Sequence, residues 1–442
     1  MKKIIAWFCV LIAISPFFYR CSKKDEAAGQ PAKQDEVIEL DMYFPMSVGS
    51  GPDTVISRLC EQFHAENPSV RINPVYAGSY AETRTMVQAA IRSGSIPAVA
   101  LMFSVDLFSL LSMDVLYDYD SFCVTEEDKA WLTGFYPAFM KNSSFGGKTY
   151  GIPWQRSTII LYYNKDAFFR AGLDPEKPPA TWDELRAMAK WLTVIENNVT
   201  VQYGIQIPSD KAGYAYWMFQ SFCTQQGGFN LMNEDGTEVY FSDPRAVRSL
   251  AFWKSLSDDG SQAPGISAWS STPNDFLQQK TAMIYFTSGN LANIRKNAEF
   301  NFGAAMLPAG ISRGSPTGGG NFYLFKGVPK EQTRAAFTFI KWMTCDPDRA
   351  AQWSIETGYI AVRPDAYETP RFKEYARQFP LALVARDQLQ YARAEFSVYD
   401  QRRIQDILDT AVESVMTGQQ SPEDALQAAQ SEADAILGRY RN

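Results

Sequence analysis

Arg156 and Ser157 stand side by side in the middle of a run otherwise built for burial. In GIPWQRSTIILYYN, residues 151–164, Ile152, Pro153 and Trp154 precede them and Ile159, Ile160 and Leu161 follow. A strand that turns polar at its centre suits a segment crossing between two folded units, its middle facing a cleft. There a guanidinium can meet an anion and a hydroxyl a polar ligand atom. Two other patterns carry related chemistry. Tyr214 and Trp217, in YAYWMFQSF, offer ring faces to a sugar, a glycerol unit or an organic cation, and Trp154 is a third candidate ring. Gly318-Gly319-Gly320 offers backbone N–H groups as an anion nest.

Each pattern also has a plainer reading. Aromatic clusters are most often core, a lone arginine is most often in an ion pair, and a glycine run is often a turn. The signatures of catalysis are missing: there is no HExxH, no GxSxG and no GK[ST] after the glycines, and no Asp/Glu pair stands out near the candidate cleft. His64, the single histidine, lies beside Glu66 in a helical pattern and reads as a surface residue. The six cysteines are scattered without a CxxC pair, which fits buried small hydrophobes better than a disulfide framework or a metal site. No cofactor is expected.

The elements that must position these residues follow from periodicity. Val37–Phe44 reads as a strand, TVISRLCEQFHAENP as a helix with Val55, Ile56, Leu59 and Phe63 on one face, and Val70–Tyr76 as a second strand. A helix over about 81–93 and an apolar strand over 97–103 complete a β-α-β-α-β opening, the signature of a mostly parallel α/β sheet. Ligands in such sheets bind beyond the carboxyl ends of strands, so Tyr76–Tyr80 and Phe103–Asp106 become cleft candidates. Thr181 caps a helix, 244–258 is amphipathic, and 282–286 and 300–307 read as strands. A further strand follows the glycines at 321–325. Helices are expected over 330–344, 346–356, 404–417 and 425–440, the last opened by Ser421-Pro422-Glu423-Asp424.

A chain of 442 residues with 46% apolar and 21% charged residues makes two or three globular domains. A net charge of −7, with no basic face, argues against a nucleic-acid partner. Met1-Lys2-Lys3 and the apolar run Ile4–Phe18 have the charged and apolar regions of an export signal, residues 1–20, too short for a comfortable membrane span. Residues 21–36 are polar and read as a tether. The arrangement resembles a bacterial lipoprotein precursor acylated on Cys21, with Phe18, Tyr19 and Arg20 where small residues usually precede the cysteine.

FHAENPSVRINPVYAGSY, PWQRSTIILYYNKDAFFRAGLDPEKPPATWDEL, KTAMIYFTSGNLANIRKNAEFNFGAAMLP and ETGYIAVRPDAY, in that order and spacing, resemble the extracellular solute-binding proteins of ABC importers. The glycerol-3-phosphate-binding branch matches best, over roughly 37–440. The resemblance implies a two-lobed, type II periplasmic-binding-protein fold with three interlobe crossings, near Arg156–Ile159, Ser288–Leu291 and Cys345. The lobes would then be 37–155 with 288–344, and 156–287 with 345–442. It implies a monomer that captures a small molecule for ABC permease subunits, held at the membrane by its lipid, and no enzyme. The matching site positions are Tyr80, Ser157, Tyr214, Trp217, Thr287, Gly319 and Tyr359. Two positions depart: Ser104 stands where the family has a glutamate, with Asp106 nearby, and Gln405 where it has an arginine, with Arg402 and Arg403 nearby.

An arginine lost from a phosphate site is not restored by an amide, and the loss weighs more on a phosphate monoester dianion than on a diester. The expected ligand is therefore a glycerophosphodiester such as glycerophosphocholine, or glycerol-3-phosphate, with Arg156 supplying the missing cation. A sugar or oligosaccharide binder is the alternative within the class, and a secreted hydrolase the alternative outside it.

Overall fold

The computed structural model describes residues 37–45 and 52–441. The export signal, Cys21, the tether and the turn at 47–51 lie outside the described residues. Parallel strands need a helix to carry the chain back, and the opening alternation supplies them. Ile38–Phe44 pairs in parallel with Val70–Tyr76 on one edge and with Val99–Phe103 on the other. Helices Pro52–Glu66 and Tyr80–Ser93 make the returns. Leu40, Met42 and Phe44 alternate inward while Glu39 and Asp41 face solvent, as a sheet half-covered on one face requires. Ser79 and Glu82 close a reciprocal cap on the helix that starts at Tyr80.

The sheet runs in the order Phe302–Ala305, Gly151–Asn164, Ser315–Leu324, Val99–Phe103, Ile38–Phe44, Val70–Tyr76, with Met283–Thr287 on the far half of Gly151–Asn164. Gly151–Asn164 is a single fully buried strand. Its first half pairs with Ser315–Leu324, while Ile159–Tyr163 pairs with Met283–Thr287. Two large cores flank this frame. One gathers the first sheet with helices Pro52–Glu66, Lys330–Cys345 and Pro347–Thr357. The other gathers helices Trp182–Leu192, Ala215–Thr224, Pro244–Asp258, Gln401–Met416 and Pro422–Leu437.

Gly151–Asn164 changes partners beyond Thr158, in the stretch expected to be the first crossing. The stretch expected to be the second shows no such change. Ser288–Asn290 is a 3₁₀ turn after a strand that stays with the far half of Gly151–Asn164, and the chain crosses instead within Ser315–Leu324. There Thr317–Gly319 pairs with Arg156–Thr158 before Gly320–Leu324 pairs with Val99–Phe103. The glycine run is thus strand interior, not a turn before a strand. A Cβ on Gly318 would stand 2.3 Å from the Trp217 ring, and one on Gly319, at φ +95°, would stand 1.9 Å from the Gln155 carbonyl oxygen. Close approach of backbone and ring, not punctuation, explains the glycines.

The third crossing also moves. Trp353, Tyr359, Ile360, Tyr367, Phe372 and Leu389 all pack into the first core, and the chain joins the second only from Phe396 and Val398. Cys345 ends a helix inside the first unit's packing, so the crossing is at 392–396. Cys60, Cys123, Cys223 and Cys345 are free thiols.

Candidate functional site

The crossings meet at a cavity of about 310 Å³ of empty space, partly open to solvent, lined by Tyr80, Phe103, Ser157, Tyr214, Trp217, Trp269, Thr287, Gly319, Tyr359 and Glu395. Tyr80 opens the helix after the second strand and Phe103 ends the third, so both sit at carboxyl ends of parallel strands. Their rings stack at 4.4 Å, and the Tyr214 ring meets Phe103 edge-on at 5.8 Å and Trp269 at 5.2 Å. Trp269 packs on Phe286 at 4.0 Å and lies 6.2 Å from Trp217. Tyr359 stacks on Trp353 at 5.8 Å. Gln155 bridges two tyrosines, its amide donating to the Tyr80 hydroxyl at 3.2 Å and the Tyr359 hydroxyl at 3.1 Å.

The aromatic helix Ala215–Thr224 is positioned from outside itself. Tyr214, just before it, has φ +66° and provides no side-chain cap, a backbone conformation a bulky residue adopts only where its surroundings fix it. The missing cap comes from Asp409, whose Oδ1 accepts the Tyr216 N–H at 2.6 Å. Trp217 Nε1–H donates to the Thr317 carbonyl at 2.8 Å, tying this helix to the second crossing.

Seven residues expected at the site line the cavity together: Tyr80, Ser157, Tyr214, Trp217, Thr287, Gly319 and Tyr359. The others lie elsewhere. Trp154 is buried in the first core, stacked on Trp353 at 4.7 Å. Arg156 lies behind the wall, fully buried, its guanidinium donating to Asn321 Oδ1 at 2.8 Å and Thr317 Oγ1 at 3.2 Å and sitting over the Phe139 ring at 5.0 Å. Its neighbours in the strand alternate across the sheet, which turns Ser157 to the cavity and Arg156 away from it. Gln405 donates to Asp409 Oδ2 at 3.4 Å, so it braces the cap on the aromatic helix. Arg403 lines a separate groove between helices Gln401–Met416 and Pro422–Leu437, with Asp406 and Glu432. Ser104 is buried beside the cavity and donates to Glu395 Oε2 at 3.4 Å.

Two lining residues were not singled out by the sequence, Trp269 and Glu395, and Phe103 was marked only as the start of a cleft candidate. Phe103 carried a signal, since it ends a strand whose carboxyl end was a cleft candidate. Trp269, in SAWSS, carried none. Glu395, in ARAEFSV, only continues an alternation of apolar and polar residues and carried no local signal. It is wholly buried, and desolvation pushes its carboxyl up to about 8, with the nearby Arg156 charge and the hydrogen bonds from Tyr216 and Ser104 acting against that rise. Arg156 is itself drawn down to about 10 by burial, opposed by the Glu395 charge.

The model of a family described as bacterial extracellular solute-binding protein matches residues 58–380. The sn-glycerol-3-phosphate-binding periplasmic protein UgpB of Escherichia coli strain UTI89 is 28% identical over 442 residues, covering 97% of this chain and 99% of the relative. Its counterpart in Salmonella typhimurium is 28% identical over 410 residues, covering 87% and 90%. Among solved structures, UgpB from Mycobacterium tuberculosis in complex with glycerophosphocholine superposes with a TM-score of 0.78 at 25% identity, covering 90% of this chain and 98% of that one. A cyclic α-maltosyl-1,6-maltose binding protein from Arthrobacter globiformis superposes at 0.77 with 23% identity, covering 91% and 100%. The architecture is the two-lobed, type II periplasmic-binding-protein fold, and the chain belongs to the bacterial extracellular solute-binding proteins.

Proposed function

We propose that this chain is the capture component of an ABC importer, closing two lobes over a glycerophosphodiester such as glycerophosphocholine, with glycerol-3-phosphate as the weaker ligand. The observation that carries the reading is the cavity itself. Ring faces from both cores surround it, and its hydroxyls, from Ser157, Thr287 and Tyr359, stand on or beside the crossings, where closure would bring them onto a ligand. The lobes are then the first core with residues 37–155 and 320–391, and the second core with 159–316 and 395–441. Ligand contact is assigned to Tyr80, Ser157, Tyr214, Trp217, Thr287, Gly319 and Tyr359. Export by residues 1–20, a lipid anchor on Cys21 and a monomeric state complete the reading. Affinity for the closed state drives capture, and no bond in the ligand needs to change.

A sugar-binding reading is favoured by one feature, the absence of Lys and Arg among the described residues that line the cavity. Thermal shift and calorimetry of the full-length protein with glycerophosphocholine, glycerol-3-phosphate and maltotriose separate the readings. Ligand at about 100 times its Kd stabilises by about 2.7 kcal/mol. Stabilisation by glycerophosphocholine supports the proposal; stabilisation by maltotriose alone overturns the phosphodiester assignment, and hydrolysis of any of the three overturns the capture role.

A further inference from the structure

Among the described residues that line the cavity, Glu395 is the single acidic one and none is basic. Its carboxylate is fixed from behind. Oε1 accepts from the Tyr216 hydroxyl at 3.0 Å and Oε2 from Ser104 Oγ at 3.4 Å. Asn142 clamps its backbone, Oδ1 accepting the Glu395 N–H at 2.8 Å and Nδ2 donating to the Glu395 carbonyl at 2.9 Å. A carboxylate offers about four lone-pair directions, so these two bonds leave the cavity side free to accept.

The charges around it come from several elements. Arg156 is held by Asn321 and Thr317, and Asp106 is paired with Arg84 at 2.6 Å. Tyr80, Tyr214, Tyr216 and Tyr323 complete the titratable neighbours, each pushed up by burial and none a cation. Six rings, those of Tyr80, Phe103, Tyr214, Trp217, Trp269 and Tyr359, line the same space. Aromatic rings beside a carboxyl attract a compact organic cation, whose charge favours the ionised form of Glu395 as it binds, and the same surroundings repel a doubly charged anion. The family resemblance puts a glutamate where this chain has Ser104. The structure brings a carboxylate to that serine from the third crossing instead.

We infer that Glu395 sets the charge preference of the cavity, favouring a phosphodiester that ends in a quaternary ammonium group over a phosphate monoester dianion. The inference rests on the capture reading and deepens it to a ligand class. Calorimetry on the full-length protein compares glycerophosphocholine with glycerol-3-phosphate for the wild type, Glu395→Gln and the double variant Ser104→Glu/Glu395→Gln. Wild type is expected to prefer glycerophosphocholine. Glu395→Gln should weaken that ligand by about tenfold, the factor that one lost cation contact of about 1.4 kcal/mol gives, and leave glycerol-3-phosphate no weaker. The double variant, with the carboxylate returned to the serine's position, should recover the preference.

Equal weakening of both ligands by Glu395→Gln, at an unchanged melting temperature, overturns the inference and leaves the capture reading standing. The wild type provides a check that needs no variant. Choline should compete with glycerophosphocholine, and glycerol-3-phosphate binding as tightly as glycerophosphocholine overturns the inference. Binding of neither phosphate ester overturns the phosphodiester reading, and the inference with it.

Discussion

Two segments cross the same cleft and are held there by opposite means. Gly151–Asn164 is a regular strand, bonded along its edges to Ser315–Leu324, Met283–Thr287 and Phe302–Ala305. Residues 392–398 form only a short parallel pairing, Ala392 and Arg393 with Ser315 and Pro316, and beyond it side chains satisfy the backbone. Asn142 bonds both polar groups of Glu395. Gln220 Oε1 accepts the Phe396 N–H at 2.9 Å and Gln401 Oε1 the Val398 N–H at 2.8 Å. A ladder tolerates change at any one side chain, because its bonds belong to the backbone. A segment satisfied by amide side chains depends on each of them, and in return it can present a chosen side chain at a chosen point. The strand is scaffold; the irregular segment carries the single carboxylate of the cavity lining.

Breaking the scaffold should have the largest effect, and the place to break it is the charge buried inside it. Arg156→Leu removes bonds to Asn321 and Thr317 and strips Glu395 of its nearest opposing charge. Leaving the buried Asn321 and Thr317 acceptors without a donor costs about 1–3 kcal/mol each, measured by urea unfolding; a total loss below about 1 kcal/mol would mean that these bonds do not hold the crossing. Gly319→Ala comes next, since it sets a Cβ 1.9 Å from the Gln155 oxygen at a φ of +95°. Strain at such a position costs about 1–3 kcal/mol, and the displaced strand should lower ligand affinity at the same time. An Ala variant as stable as wild type would mean the two crossing strands are free to part.

The same contrast explains what the sequence disclosed. Regular elements announce themselves by period, so the opening alternation and the capping residues could be read, and the polar centre of Gly151–Asn164 marked the first crossing. Seven expected site residues converge because they stand at strand ends, on the crossings or on the aromatic helix. Arg156 and Trp154 were misplaced for one reason: burial of both faces of a strand removes the alternation that would tell cavity from core. The glycine run read as lying ahead of a strand and not inside it because its cause, the Trp217 ring and the Gln155 carbonyl, lies far away in sequence. Glu395 stayed hidden because nothing local to 392–398 says which distant amides will hold it, and because the third crossing was set about fifty residues too early.

Asn142→Ala tests chiefly the irregular segment, losing besides one long side-chain bond from Thr317 Oγ1 at 3.4 Å. It orphans the Glu395 N–H and carbonyl, each loss worth about 1–3 kcal/mol if water cannot replace the bond. It touches no ladder hydrogen bond of the long crossing strands. Hydrogen exchange should speed up at 394–398 and leave 152–163 protected. Equal acceleration in both segments would show that they open as one unit and remove the distinction between them.

The smallest effect expected is on the pH dependence of stability, where the sign is fixed by which protonation state burial favours. Glu395 is pushed up to about 8 and Asp106 to about 6, in both cases first by desolvation, with Arg156 and Arg84 respectively opposing. Both folded values exceed the ordinary carboxylate range, so the native state binds more protons than the unfolded chain between about pH 4 and pH 8. Their contribution is complete below the unfolded values and is lost as pH rises, first through about 6 and then through about 8. Asp128 and Glu374, held down to about 2 by Lys341 and Arg377, change stability only in acid and do not enter this window. The melting temperature should therefore fall from pH 5 to pH 8.5. In Glu395→Gln, which cannot titrate, the fall should stop near pH 6.5 apart from what buried Asp409, also raised, contributes. Parallel curves for wild type and variant above pH 6.5 would show that Glu395 is ionised throughout. The cavity would then hold a permanent anion, and the third crossing would differ from the first in charge as well as in the way it is held.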